Sequence, residues 1–383
     1  MLDTLHDFSE KNGLKVNFQK TNVMIFNKTG RHIRRNFYLG TIKVETTREY
    51  KYLGFKFMPS GEINSGLKDL KDRAIKAFMK LKQKLGQFFG KYPQITIKLF
   101  DTLIKPLLLY GSDFWGLLKL PTNRPFETLF QSFCKQLLGV QKQTTNTGVL
   151  LELGVVPLSL YAKKNAFKNW HRISKIKAAN PLVLLSYKYA LDQKLSWPMR
   201  SKSLLTEIGM MDIFLSKEED RNCHINIFQR LQDIFHQNAF TEINQPNSKL
   251  RTYKNLKTVI GTERYLGLIP CPVKRAIMSK FRLSNHSLMI EKGRHIKIRK
   301  EQRFCPICPN EIEDEKHFLL NCEGYKNERR VFFDIVKRLY KDFEHLDDTA
   351  KFIFLLTNDD AVRITAQFIS ENFVRRECLL LEL

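Results

Sequence analysis

Leu2, Leu5 and Phe8 recur at steps of three along MLDTLHDFSEKNG, which puts them on one helical face, and Gly13 closes the segment as a C-terminal cap. The rhythm then changes. VMIF (23–26), NFYLG (36–40), TIKVE (41–45) and YKYLGFKF (50–57) are short runs rich in β-branched and aromatic residues, predicting strands of a small antiparallel sheet. From Gly66 to Phe89, the apolar positions Leu67, Leu70, Ala74, Phe78, Leu81, Leu85 and Phe88 return at steps of three and four, predicting a long amphipathic helix. A second helix is expected from Thr96 to Leu109, carrying Leu99, Leu103 and Ile104, with Pro106 kinking or ending it. Leu107 to Trp115 then enters a turn around Gly111.

Residues 126–175 and 180–195 repeat the helical pattern, whereas 198–250 holds polar stretches such as KEED (217–220) and NQPNSK (244–249). A domain boundary is therefore expected near 245–260. From Asp347 the chain reads as helical and apolar-periodic, expected to pack back on the unit before it. The fold class is α+β, predominantly α-helical, with no fixed-period repeat and no low-complexity tract.

A chain of 383 residues suggests two or three domains, and 43% hydrophobic with 11% aromatic content is enough to fold them. Lys and Arg number 64 against 39 Asp and Glu, a net charge of +25, so the field attracts polyanions; RNA or DNA is the expected partner. A membrane-surface role finds no amphipathic anchor or lipidation signal, and LLLY (107–110) is far too short to span. No signal peptide is seen. The seven cysteines include Cys134, Cys223, Cys271 and Cys378 scattered singly, which fits a reducing compartment, nucleus or cytoplasm, and not secretion.

The charge is unevenly placed. Lys68, Lys71, Arg73, Lys76, Lys80, Lys82 and Lys84 crowd one side of the predicted long helix, with Asp69 and Asp72 as the counter-charges. Such a run can be a solvated face, but the lopsided sign favours a phosphate-facing role. A second run, Lys274, Arg275, Lys280, Arg282, Lys292, Arg294, Lys297, Arg299, Lys300 and Arg303, leads into FCPICPNEIEDEKHFLLNC. Phe281, His286, Phe304, Phe318 and Tyr325 lie beside it, rings of the kind that stack on unpaired bases, although a small unit must bury most of them.

Cys305, Cys308, His317 and Cys322 have the spacing C-x2-C-x8-H-x4-C. Two cysteines separated by two residues put both thiolates on one turn, and the His and last Cys meet that turn from the start of a helix. Four protein ligands leave no open position, so the site is expected to be structural, and its thiolates favour Zn2+ over hard cations. His295 and Cys271 lack local ligand spacing and are expected to be a surface imidazole and a buried thiol. Of the acidic pairs, Asp347-Asp348 and Asp359-Asp360, neither has a convincing acidic partner for two-metal chemistry, and Asp359 reads as a helix cap. No P-loop, nucleophile elbow or dinucleotide fingerprint is present.

In order along the chain, EKNGLKVNFQKTNVMIF (10–26), YKYLGF (50–55), LFDTLIKPLLLYGSDFWG (99–116), FCKQLLGV (133–140), LELGVVPL (151–158), IEKGRH (290–295) and FCPICPNEIEDEKHFLLNCEGY (304–325) resemble the C-terminal half of LINE-type, non-LTR retrotransposon reverse transcriptases. That resemblance implies a palm remnant at 1–60, a basic helical thumb at 61–175, a helical connector at 176–255, a basic zinc-binding unit at 256–340 and a helical tail at 341–383. Within it, Lys20 would sit near the incoming triphosphate and protonate the leaving pyrophosphate in an intact ancestor, and Tyr52-Leu53-Gly54 would grip the primer end. Lys68, Lys71, Lys76 and Lys80 would track a template–primer duplex, and Arg294, Lys297, Arg299, Lys300 and Arg303 would hold nucleic acid beside the zinc element.

The palm aspartates of such an enzyme, including its Tyr/Phe-x-Asp-Asp hairpin, would precede residue 1. Mg2+ is therefore expected only in an intact parent. The expected function is a truncated remnant that binds zinc and nucleic acid without polymerising; a host-adopted zinc-dependent RNA- or DNA-binding protein and a fragment of an active RNA-directed DNA polymerase are the alternatives.

Overall fold

The chain opens as the helix Leu2–Lys11 and leaves it through Gly13 at φ 61°, where the Leu14 N–H closes on the Ser9 carbonyl at 2.8 Å. Glycine adopts that left-handed exit at no steric cost. The computed structural model describes residues 2–27, 29–118, 125–175, 181–193, 197–216, 222–246 and 248–382; the KEED stretch (217–220) and one residue of NQPNSK lie outside them.

Among the described residues, five short strands form two sheets instead of one. Phe37–Leu39 pairs antiparallel with Ile42–Thr46, and Asn22–Val23 joins the far side of Ile42–Thr46 in parallel. Met24 to Phe26, expected to continue that strand, lie outside the ladder because the chain turns toward Pro59, whose carbonyl accepts from the Asn27 N–H at 2.9 Å. Tyr50–Tyr52 and Phe55–Phe57 make a separate antiparallel hairpin. Its two turn residues, Leu53 and Gly54, have φ of 47° and 85°, the mirror-image turn that suits strand twist. Leucine is an unusual occupant there, and its side chain stands exposed. Arg73 holds the turn by donating to the Gly54 carbonyl at 2.7 Å, and Tyr110 donates to the Leu53 carbonyl.

The long helix runs Asn64–Leu85 and stops at Gly86, whose φ is 49°. Leu67, Leu70, Ala74, Phe78 and Leu81 are buried, while Phe88 falls in the Gly86–Phe88 turn and is exposed. Phe78 meets the edge of Phe133 at 5.8 Å, and Phe133 stacks on Phe100 at 4.2 Å. The second helix is two pieces, Pro93–Leu103 and Lys105–Leu108. Pro106 sits in the first turn of the second piece, where its missing N–H leaves no bond unmade. Leu103 is exposed; Phe100, Ile104 and Leu108 carry the inner face.

Pro125–Leu138, Asn146–Leu153, Leu158–Ser174, Pro181–Asp192, Trp197–Glu207 and Cys223–Asn244 continue the helical body, so most of the polar 198–250 stretch is helical too. One apolar cluster extends from Phe55 to Ile369; a smaller one gathers Phe167, Trp170, Leu205, Ile227 and Leu231. Leu250, Tyr253 and Leu256, in the segment expected as a boundary, are buried members of the larger cluster.

Beside them lies a buried ionic junction. Arg282 donates to Glu152 at 2.7 Å, to Glu263 at 2.5 Å and to the Leu356 carbonyl at 2.8 Å, while Tyr253 donates to Glu152 at 2.7 Å. Charged groups this far from water are tolerated only when paired, and here the pairing joins segments more than a hundred residues apart.

The tail forms the helices Asp348–Thr357 and Ala361–Glu382 and packs back on the Cys/His segment, with Phe373 stacked on Phe318 at 4.9 Å and Phe368 on Phe332 at 4.6 Å. Asp347 caps Asp348–Thr357 by accepting from the Ala350 N–H at 3.1 Å. Asn358, not Asp359, caps the last helix, accepting from the Asp360 and Ala361 N–H groups, and Asp359 pairs with Arg264. The fold is α+β and predominantly helical. Among the described residues, no helix is long and apolar enough to cross a membrane.

Candidate metal centre and basic surfaces

Phe304 bridges Ile312 in an isolated antiparallel pair, folding the chain between them into a knuckle that carries Cys305 and Cys308. Inside it the Cys305 N–H reaches the Glu311 carbonyl at 2.7 Å, and Asn310 turns at φ 70°. On the other side Asp314 accepts from the His317 N–H at 2.8 Å and starts the turn His317–Asn321, which is wound as a π-helix. Widening follows from the Cys322 N–H bonding to the His317 carbonyl at 2.8 Å, five residues back. Local backbone chemistry thus presents both halves of the spacing to one point.

The four side chains are buried and their ligand atoms lie within 4.8 Å of one another. Cys322 Sγ is 3.9 Å from that of Cys305 and 3.7 Å from that of Cys308. Among the described residues, neither ring nitrogen of His317 has a hydrogen-bond partner outside the thiol cluster. Cys305, Cys308, His317 and Cys322 can hold a metal ion. The hydrogen bond from Cys322 brings the Cys305 thiol down to about 4, against the opposing effect of burial, and the same contact pushes Cys322 up. Two thiols this close disfavour each other's ionisation, and a cation between them would relieve that repulsion. The Glu323 N–H donates to Cys308 Sγ at 3.3 Å, and Arg329 donates to the Cys322 carbonyl.

The basic residues divide by role. On the long helix Lys68, Lys76 and Lys80 are exposed and Lys71 is half-buried. Lys297, Arg299 and Lys300 are exposed in the loop before the knuckle. Arg294 is half-buried and pairs with Glu291 at 2.9 Å. Arg303 points its guanidinium inward, donating to the Ile290 carbonyl at 2.7 Å and the Ile298 carbonyl at 3.0 Å, so it shapes that loop. Arg275 and Arg282 are likewise interior, Arg275 donating to the Ile269 carbonyl at 2.7 Å.

Lys20 is exposed, in a turn where its N–H donates to the Asn17 carbonyl at 3.1 Å. Tyr52 is exposed beside Leu53. Among the five rings flanking the basic run, Phe281, Phe318 and Tyr325 are buried, His286 is almost so, and Phe304 reaches solvent. His295 is exposed, as expected. Cys271 is not a buried thiol: it stands half-exposed at the head of the helix Pro272–Arg282, where the Lys274 N–H lowers its pKa.

A second polar cluster was not anticipated. Glu315, fully buried, accepts from Arg251 Nη2 through both carboxylate oxygens, at 2.7 and 2.8 Å, and lies 2.8 Å from His286 Nε2. Burial disfavours its charge, but the His286 bond and the Arg251 charge outweigh that and hold it at about 2. The sequence does carry one sign of such interior charge, a carboxylate embedded in an apolar run, as with Glu152 in VLLELG. Comparison of the chain with family models, with curated proteins and with solved structures finds no match in any of the three.

Proposed function

We propose that the chain is a zinc-stabilised nucleic-acid-binding protein, derived from a non-LTR retrotransposon reverse transcriptase, that holds RNA or DNA without polymerising it. The observation that carries this reading is the Cys305–Cys308–His317–Cys322 cluster set beside an exposed basic loop. A tetrahedral ion with bonds to sulfur of about 2.3 Å has sulfur–sulfur edges of about 3.8 Å, and the two sulfur separations of 3.9 and 3.7 Å fit that figure. Three thiols, one imidazole and a closed shell are the donor set of structural zinc. Zinc would supply cross-linking here and no activated water.

Lys297, Arg299 and Lys300 then meet phosphates, as do Lys68, Lys76 and Lys80 on the long helix. Of the acidic pairs, Asp347 serves as a helix cap and Asp359 pairs with Arg264. Titrating labelled RNA and DNA at rising salt tests the reading: each phosphate contact adds about 0.9 to the log–log slope. Affinity that ignores salt, or no binding at low salt, would overturn it.

A further inference from the structure

A cleft of about 510 Å³ opens between the 141–143 loop, the 284–287 loop and the helix Met289–His295. Ligand-sized clefts span roughly 300–1,000 Å³. Three lysines line it, Lys249, Lys280 and Lys292, and none of them forms an ion pair among the described residues. Burial pushes the Lys249 ammonium below its ordinary value; Glu291 opposes this, and Arg294 and Arg251 add to it.

The cleft also has a buried polar wall. His286, its side chain 2% exposed, faces Glu315 through Nε2, and its Nδ1 has no hydrogen-bond partner among the described residues. Because Nε2 lies against an acceptor-only carboxylate, it carries a ring proton, and Nδ1 is left to bond a ligand. Phe373 supplies an aromatic surface, half-buried and braced from behind by Phe318. The loops are fixed to each other, with Asn285 Oδ1 accepting from the Gln141 N–H at 3.0 Å.

We propose that this cleft takes one unpaired nucleotide of a single strand, its phosphate among Lys249, Lys280 and Lys292, its base against Phe373 and hydrogen-bonded at its edge to His286 Nδ1. The assignment rests on the nucleic-acid-binding reading above. A base inside a duplex has its edge paired and both faces stacked, so it cannot enter. The cleft therefore selects single strands, whereas the exposed loop lysines serve either form.

The test measures binding of the full chain to a labelled mixed-sequence single-stranded RNA and to the same sequence as a duplex. The variants are Lys280→Gln with Lys292→Gln, and Phe373→Leu. The expected result is an approximately tenfold loss for the single strand in each variant, with duplex affinity unchanged. Phe373 packs in an aromatic cluster, so its variant is read alongside a thermal melt, and the lysine variant carries the test if Phe373→Leu unfolds. Equal losses on both probes, or no loss on either, overturn the cleft assignment while leaving the general reading standing. Failure of the unaltered chain to bind either probe overturns both.

Discussion

Arg376 grips Glu313 through two parallel bonds, Nε to Oε1 at 2.6 Å and Nη2 to Oε2 at 2.7 Å, with both side chains buried. The pair fastens the last helix to the segment between the cysteine knuckle and His317. Glu313 also accepts from the Met289 N–H at 2.6 Å, and its own N–H reaches the Arg303 carbonyl at 3.0 Å. Removing one partner of a buried pair strands the other's charge, which costs about 3–5 kcal/mol. Arg376→Met should therefore lower unfolding free energy by that amount in urea titrations. A loss below about 1 kcal/mol would mean that the pair is hydrated.

Arg303 and its neighbours should separate by phenotype. Arg299→Gln and Lys300→Gln remove exposed charges, so each should reduce the salt slope of nucleic-acid binding by about 1 with little change in melting temperature. Arg303→Gln removes the donors that hold the Ile290 and Ile298 carbonyls, and it should lower the melting temperature first. The reverse ranking in paired melting and binding assays would mean that Arg303 faces the ligand.

That division was hidden in the sequence, where Arg299, Lys300 and Arg303 read as one basic run. Spacing reveals chemistry when the partners are local, which is why the four metal ligands, inside eighteen residues, were legible. The inner face of the long helix from Leu67 to Leu81 was legible for the same reason, whereas Leu5, Phe8, Phe88 and Leu103 stand exposed, with Phe100 and Ile104 taking the inner positions beside Leu103. Partners far apart in the chain leave no local pattern: Arg282 meets Glu152 across 130 residues, and Arg251 meets Glu315 across 64. The cap at Asn358 was missed because Asp359 has equal capping propensity and only backbone geometry chooses between them.

Alkaline stability should report on the buried tyrosines. Burial, reinforced by the charge of Glu152 and opposed by Arg282, raises Tyr265 well above its ordinary value of 10. A raised folded pKa gives stability that is complete below pH 10 and lost as pH climbs toward the folded value. Tyr265→Phe keeps Ser279 satisfied through the Arg275 carbonyl and removes the ionisation. Denaturant titrations above pH 10 should show the unaltered chain losing up to about 1.4 kcal/mol per pH unit more than the variant. Parallel slopes would place the Tyr265 hydroxyl in solvent.

The central claim is that Cys305, Cys308, His317 and Cys322 form one structural zinc centre. Metal analysis combined with zinc X-ray absorption on the purified protein tests it most directly. The account predicts about one zinc per chain, with three sulfur neighbours near 2.3 Å and one nitrogen near 2.0–2.1 Å, lost in Cys305→Ser with Cys308→Ser. Zinc retained by that double variant, or a shell of oxygen neighbours, would contradict it.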